Sequence, residues 1–337
     1  MTVVAVAWAA LALAAAGSLT VYLLALRRMI FERREQRRRA AEARLRPAAA
    51  ALAGGEAPPM TEVAAADLEI LAEVLARYGR QLTGDAREHL ADFFERHGLV
   101  DREIAQLAER KAWRRARAAF LLGDMASPRA VEPLLAALDD QRREVRSAAA
   151  RSLGRLGAAE AVPPLVHALV DRRVPRAVAA QSLLTIGAAA VDPLRGLVLD
   201  EDWEVRAVVI ELLGFLGDAR EEPLLTERLR DSSAEVRAKA ARALGRLGAE
   251  EATAELARAL DDRIPFVRAN AAIALGAVGD RSTASALLEH ARTDEFDPAH
   301  AAARALGRVY PELLWAAARD TTSGLHIAEA ADLTAAR

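Results

Sequence analysis

The chain has 337 residues, a formal net charge of −2, 53% apolar residues but only 4% aromatic ones, and no cysteine. The apolar share is mostly alanine and leucine, which favours helices over strands and is ample for a buried core. The lack of cysteine excludes disulfides, thiolate nucleophiles, cysteine-bound zinc and iron–sulfur clusters. An all-α protein is expected.

The first element is the run "VVAVAWAALALAAAGSLTVYLLAL", Val3 to Leu26, 24 residues without a charge. At ~1.5 Å per residue it would reach roughly 36 Å, enough for a ~30 Å hydrocarbon core. Residues 1–26 are therefore predicted to be a transmembrane anchor. The competing reading is a cleaved signal peptide, but no positive charge precedes the run and it is longer than a signal core. Residues 27–50 form a basic juxtamembrane helix: Arg27 to Arg46 holds nine arginines against three glutamates, so with −2 overall the remaining chain carries −8. Such a cluster stays on the cytoplasmic side, which places the N-terminus outside a bacterial inner membrane and the rest inside. Arg33, Arg34, Arg37, Arg38 and Arg39 serve that topology or, in a sharper reading, face anionic lipid. "ALAGGEAPP", residues 51–59, is expected to be a flexible linker, and residues 60–110 read as amphipathic helices forming an N-terminal cap.

From residue 111 the sequence repeats itself every 30 to 31 residues through residue 308. Arg146, Arg176, Arg206, Arg237 and Arg268 are each followed eleven residues later by glycine, at 157, 187, 217, 248 and 279. Asp140, Asp200, Asp231 and Asp262 stand six positions before their arginines; Asp171 stands five before its own, in the divergent turn "RRVPR". In each unit one amphipathic helix, as in "AEAVPPLVHALVD", precedes a second, as in "EVRSAAARSLGRLG". Pairs this short cannot bury an apolar face alone, whereas stacked copies share one core. Residues 309–337 are read as a C-terminal cap, "PELLWAAARD", followed by a tail that is loose or orders on a partner.

The pattern "PLLTERLRDSSAEVRAKAARALGRLG" resembles the HEAT-like repeats, in the short bacterial form also found in phycobilisome lyases. The resemblance implies a right-handed α-solenoid of stacked helix pairs behind a single transmembrane helix. It also implies a structural ladder between neighbouring units, built from Asp140, Arg146, Arg176, Asp200, Arg206, Asp231, Arg237, Asp262 and Arg268. The physics agrees, since a carboxylate at a helix start meets free amides and the arginine fork bridges two acceptors. Asp231 is paired with Arg237 in this reading. Repeated alanines set helix spacing, and Gly154, Gly214, Gly245, Gly276 and Gly307 mark close helix contact or early fraying.

Function is then sought at positions that vary between units. Trp203 and Phe266 stand in turns where other units carry charged or small residues, and either contact a partner or pack on the next turn. Two rows on the second helices, Arg155, Thr185, Phe215, Arg246, Ala277 and Arg151, Gln181, Glu211, Arg242, Ile273, are placed on the concave side. Trp203, Phe215, Phe266, Arg151, Arg155, Arg242 and Arg246 are the candidate partner-binding residues, with an acidic partner segment weighed against a merely solvated face.

No catalytic constellation emerges. The six histidines lack metal-ligand spacing, and no phosphate loop, nucleophile elbow or dinucleotide fingerprint occurs. Neither catalytic residues nor a metal or other cofactor are expected. An acidic repeat region without a basic, aromatic-laced stripe disfavours nucleic acid. The reading is a non-enzymatic, membrane-anchored scaffold presenting its solenoid to a membrane-associated protein partner. By resemblance alone, that partner could belong to a complex such as an exported-polysaccharide glycosyltransferase. The alternatives are a bilin-lyase-like activity or chaperone, and a lipid-sensing arm.

Overall fold

The computed structural model describes residues 84–320 and 325–335 continuously, with earlier positions 8, 22, 24–29, 32, 36, 39–40, 42–44, 46–47, 51, 70–72 and 74–76. The predicted transmembrane run lies outside the described residues but for Trp8, Tyr22 and residues 24–26, as do Arg33, Arg34, Arg37, Arg38 and nearly all of the linker; Arg39 is described, helical and exposed. Among the described residues no single helix is long and apolar enough to cross a membrane, and no strand occurs.

The chain divides into two compact units, residues 1–103 with 124–127, and residues 104–123 with 128–337. The boundary falls seven residues earlier than the expected 110/111 division. In the first unit α1 (Asp85–Arg96) is followed by the start of α2 (Leu99–Gln106). Its core is Leu71, Leu75, Leu90, Phe94 and Val100.

The second unit is an all-α, solenoid-like stack of helix pairs. Second helices α3 (Ala112–Asp124), α5 (Arg143–Leu156), α7 (Arg176–Ile186), α9 (Trp203–Leu216), α11 (Ala234–Leu247), α13 (Pro265–Val278), α15 (Phe296–Val309) and α17 (Leu325–Ala335) alternate with shorter first helices. The first helices are α4 (Val131–Ala137), α6 (Val162–Val170), α8 (Val191–Arg195), α10 (Glu222–Arg228), α12 (Thr253–Arg258), α14 (Ala284–Thr293) and α16 (Pro311–Ala318). Prolines enter several of these at the first turn, where no intrahelical amide is lost. Each helix of the stack contributes at least one fully buried leucine, valine or isoleucine, such as Leu165, Leu169, Val145 and Leu153.

The distance between successive second helices is set by one contact. A Cβ built on Gly245 would lie 2.8 Å from Ala274 Cα, and one on Gly214 2.7 Å from Ala243 Cα. Backbone therefore meets backbone across the stack, and the residue opposite each glycine is Ser or Ala. Between α7 and α9 this device is missing: Leu184 stands in the glycine position and Leu212 in the small-residue position. These two helices accordingly meet over a much smaller stretch than α9 and α11, α11 and α13 or α13 and α15.

The aspartates and arginines pair across units, not within them. The Arg237 guanidinium donates to both carboxylate oxygens of Asp262, at 2.7 and 2.9 Å, while its third nitrogen donates to the backbone carbonyl of Asp231 at 2.9 Å. The expected pairing of Arg237 with the Asp231 carboxylate is thus corrected: that carboxylate takes Arg206 of the preceding unit, at 2.9 and 2.8 Å. The same fork joins Arg115 to Asp140 and Arg268 to Asp294, two rungs absent from the sequence-derived ladder. Each of these carboxylates also accepts a backbone amide just beyond it, as Asp262 does from Ile264 at 2.9 Å.

The ladder is interrupted at the divergent turn. Arg146 donates to the carbonyl of Arg173 at 2.7 Å, because the shortened "DRRVPR" segment withdraws the Asp171 carboxylate. Arg172 sits there at φ 55°, a left-handed conformation uncommon for its type. Arg176 turns to Asp202 and Glu204 at the start of α9, where acidic side chains also satisfy free amides. Asp200 is left accepting the Asp202 amide at 2.9 Å. On the first-helix side, the buried Glu221 receives a second bidentate fork, from Arg195, at 2.9 and 2.6 Å.

At the C-terminal end the segment expected to be loose or to order on a partner forms α17, whose Ile327, Ala330 and Ala331 are buried and which packs on α15 and α16 of its own chain. Thr334 lies where a Cβ on Gly307 would meet its hydroxyl at 2.6 Å.

Four outcomes are expected. Gly245→Val should lower stability by about 1–3 kcal/mol, because backbone at 2.8 Å cannot yield as a side chain would; chemical denaturation measures it. Asp262→Ala should cost about 3 kcal/mol by leaving the nearly buried Arg237 without its anion, whereas Asp171→Ala should stay within about 0.5 kcal/mol. The Arg115 fork lowers the Asp140 pKa; for Asp231, Asp262 and Asp294 burial acts the other way but is outweighed by the arginine and amide bonds, and Arg176 holds Asp202 at about 2. A depressed carboxylate contributes stability above its unfolded value, ~3.9, and loses it as pH falls through the folded value. Stability should therefore hold from neutral pH to about 4 and fall below that, less steeply in Asp262→Ala. In native-state hydrogen exchange, α9–α15 should open as one cooperative step distinct from α3–α7, with uniform protection across Leu184 and Leu212 counting against the looser contact.

Candidate partner-binding face

With one face of each second helix turned to its first helix and two flanks to its neighbours, the remaining stripe points to solvent. The 30- to 31-residue step brings equivalent stripe positions into rows. One row runs Phe120, Arg151, Gln181, Glu211, Arg242, Ile273 and Arg304; the other runs Arg155, Thr185, Phe215, Arg246, Ala277 and Arg308. Arg304 and Arg308 were missed in the sequence, although adding 31 to Ile273 and Ala277 locates them.

Within the rows, aromatic rings support guanidinium groups. Arg246 lies over the Phe215 ring at 3.9 Å, and Arg155 over Phe120 at 4.3 Å while donating to the Phe120 carbonyl at 2.9 Å. Such contacts hold the cations flat and accessible. Lys239 neutralises Glu211 at 2.8 Å. Arg151, Arg242, Arg304 and Arg308 make no ion pair or hydrogen bond among the described residues, and the Arg242 Nε is buried without an acceptor. Burial lowers the pKa of Arg246, Glu211 opposes that, and the adjacent positive Arg242 lowers it further. Two cations are thus held side by side, and the one nearby carboxylate, Glu211, is already paired with Lys239.

Between α13 and α15 the stripe deepens into a cleft of about 390 Å³. Ala269, Ile273, Ala301 and Ala305 form an apolar wall, and Asp297, His300, Arg304 and Arg308 its polar side. Ile273 is 50% exposed and Phe215 53%, large values for such side chains in a folded unit. His300 stacks on Phe296 with ring centroids 6.2 Å apart, and His326 meets Phe296 edge-on at 4.7 Å. Sequence spacing had left these two histidines scattered; the docking of α17 brings them together. No group of three His, Cys, Asp or Glu residues is placed to hold a metal among the described residues.

Trp203 opens α9 and Phe266 follows the first residue of α13, each 45% exposed. They stand at helix starts, one turn or more from the arginine rows, so the structure gathers the stripe arginines with Phe215 and Ile273 but leaves these two aromatics at the edge of that surface.

A model of the HEAT repeats matches residues 103–184, 171–235 and 222–307, more than half of the chain. No curated protein matches at a significant level. Among solved structures, the chain is similar to the complex of CpcE and CpcF of phycocyanin lyase from Nostoc sp. PCC7120, with 26% identity, 70% of this chain and 94% of that chain covered, and a TM-score of 0.36. It is also similar to human deoxyhypusine hydroxylase in complex with glycerol, at 23% identity, 80% and 97% coverage and a TM-score of 0.33. YibA of E. coli shares 17% identity over 82% of this chain and 100% of its own, with a TM-score of 0.45. Superposition at this level carries no argument about activity.

Proposed function

Since the chain belongs to the HEAT-repeat family, whose stacked helix pairs present extended binding surfaces, we propose that it is a non-enzymatic scaffold, tethered to a membrane by its N-terminal apolar segment, which receives a membrane-associated protein partner along the second-helix stripe. The observation that carries the binding reading is the contrast between two arginine sets. Arg115, Arg206, Arg237 and Arg268 are saturated by carboxylates inside the stack, while Arg151, Arg242, Arg304 and Arg308 lie on the solvent-facing stripe with no anion. Exposed Phe215 and Ile273 interleave with them, the combination of aromatic or apolar anchor and arginine that concentrates binding energy in protein interfaces.

The tether rests on the 24-residue uncharged run and the nine arginines behind it. Trp8, Tyr22 and Leu24 are exposed. With the basic cluster on the cytoplasmic side, the repeats lie in the cytoplasm and the N-terminus outside.

Both parts are tested in cells. The full chain should sediment with membranes and a C-terminal fluorescent fusion should be bright; removal of residues 1–26 should release it to the soluble fraction, and unchanged sedimentation would remove the tether from the reading. A photo-crosslinking residue at Phe215 or Ile273 should give one discrete adduct, whereas the same residue at the exposed Glu227 on a first helix should give none. Equal adducts at all three positions would count against a dedicated face.

A further inference from the structure

We propose that the stretch from Arg242 and Arg246 on α11, across Ile273 on α13, to Arg304 and Arg308 on α15 binds an extended acidic segment of the partner protein, with one large apolar side chain seated in the α13–α15 cleft between two acidic ends. The inference rests on the scaffold reading above and names the chemistry of the partner.

Spacing comes first. The glycine contacts draw these helices together: a Cβ on Gly245 would lie 2.8 Å from Ala274 Cα and one on Gly276 2.9 Å from Ala305 Cα. Interaxial distances are therefore near the lower limit of the usual range, about 8 Å, and α11 to α15 is about 16 Å. An extended chain advances ~3.3 Å per residue, so about five residues separate the groups it places over the two arginine pairs. Within each pair the arginines are one helical turn apart, which suits two carboxylates on adjacent residues reaching both guanidinium groups.

Charge and shape then select the occupant. Four unpaired or ring-supported guanidinium groups stand at the two ends, and Arg242 Nε is buried with no acceptor. Bidentate carboxylate recognition is what that group does best. The middle of the path holds no cation: Ile273, Ala277, Ala301 and Ala305 make it apolar, and small residues leave the depth that a leucine-sized side chain fills. A volume of about 390 Å³ lies near the lower end of ligand-pocket sizes, ~300–1,000 Å³, so it accommodates a side chain or two and not a large cofactor. A nucleic acid fits worse. Its phosphates would follow one another across an uncharged middle, past Asp297, and over a chain whose residues after 46 carry −8.

The test uses the full chain in detergent micelles and a labelled peptide, Glu-Glu-Ser-Leu-Ser-Glu-Glu, read by fluorescence anisotropy. Binding is expected, weakening at least tenfold for Arg304→Glu combined with Arg308→Glu and for the peptide with serine in place of leucine. The charge-reversed chain should in turn bind a peptide in which the two glutamates at one end only are replaced by lysine, because Arg242 and Arg246 still take the other end. Circular dichroism of the double variant should be unchanged, since both side chains are exposed and unpaired. Equal binding of the lysine peptide by the original chain, tighter binding of a seven-nucleotide oligouridylate, or no effect of the double variant would each overturn the proposal. If the peptide fails while crosslinks at Phe215 and Ile273 still capture a partner, the acidic-segment assignment falls and the scaffold reading stands; if the crosslinks fail as well, both fall.

Discussion

The close approach of one second helix to the next is the constraint on which the rest of this structure depends. A glycine that lacks its Cβ meets the backbone of a serine or alanine one unit on, at separations under 3 Å for the atom it does not have. Once that distance is set, most of the alanines around it are buried and the second helices run in register. The 25-residue reach from an arginine to the next unit's aspartate then matches the length of an extended side chain. The exception supports the argument. Where leucines, Leu184 and Leu212, stand at the two positions, helices α7 and α9 meet over a smaller stretch, and in the adjoining turns the arginine pairing changes too, with Arg146 and Arg176 finding a carbonyl and the acidic start of α9.

Arginine and aspartate in this stack act as fasteners between units and as caps within them. One guanidinium edge grips the next unit's carboxylate while the remaining nitrogen holds the carbonyls of its own turn, as Arg237 does for Asp231 and Ser232. The carboxylate in turn accepts an amide at the start of its own second helix. Every member of the cluster is hydrogen-bonded, which is the condition under which partly buried charges are tolerated. Such a network adds orientation: the arginine locks the azimuth of each unit about the stack, so the exposed stripe stays aligned from unit to unit.

Much of this was legible from sequence because the repeat multiplies each signal. The period, the helix pairs and the glycine and aspartate positions recur five times, and a solution to a shared packing problem reads clearly. The direction of pairing did not read. Asp231 and Asp262 lie six residues before and 25 after Arg237, and spacing alone treats both as reachable; only the stack shows that the carboxylate bond goes forward and the carbonyl bond back. Arg115, Asp294, Arg304 and Arg308 were missed where the end units diverge and the pattern weakens, although their positions follow from the step size. The His300–Phe296–His326 cluster had no sequence signal, since it depends on α17 folding back onto α15.

The distribution of charge then has a mechanical origin. An acidic residue in a repeat turn is required in nearly every unit to receive an arginine, and additional carboxylates gather at helix starts, so the repeats accumulate negative charge for structural reasons. The stripe on the second helices is exempt from that requirement, because its contacts between units are a few ring, carbonyl and ion-pair contacts rather than the repeated aspartate–arginine fork. Its residues vary: Arg151, Gln181, Glu211, Arg242, Ile273 and Arg304 occupy one equivalent position. Self-repulsion between Arg242 and Arg246 is a cost that the fold does not need and that Glu211, itself paired with Lys239, offsets only in part. Cations held in that state on a rigid lattice, at a spacing set by glycine contacts, are preorganised for an anion supplied from outside, and little further ordering is required when it binds.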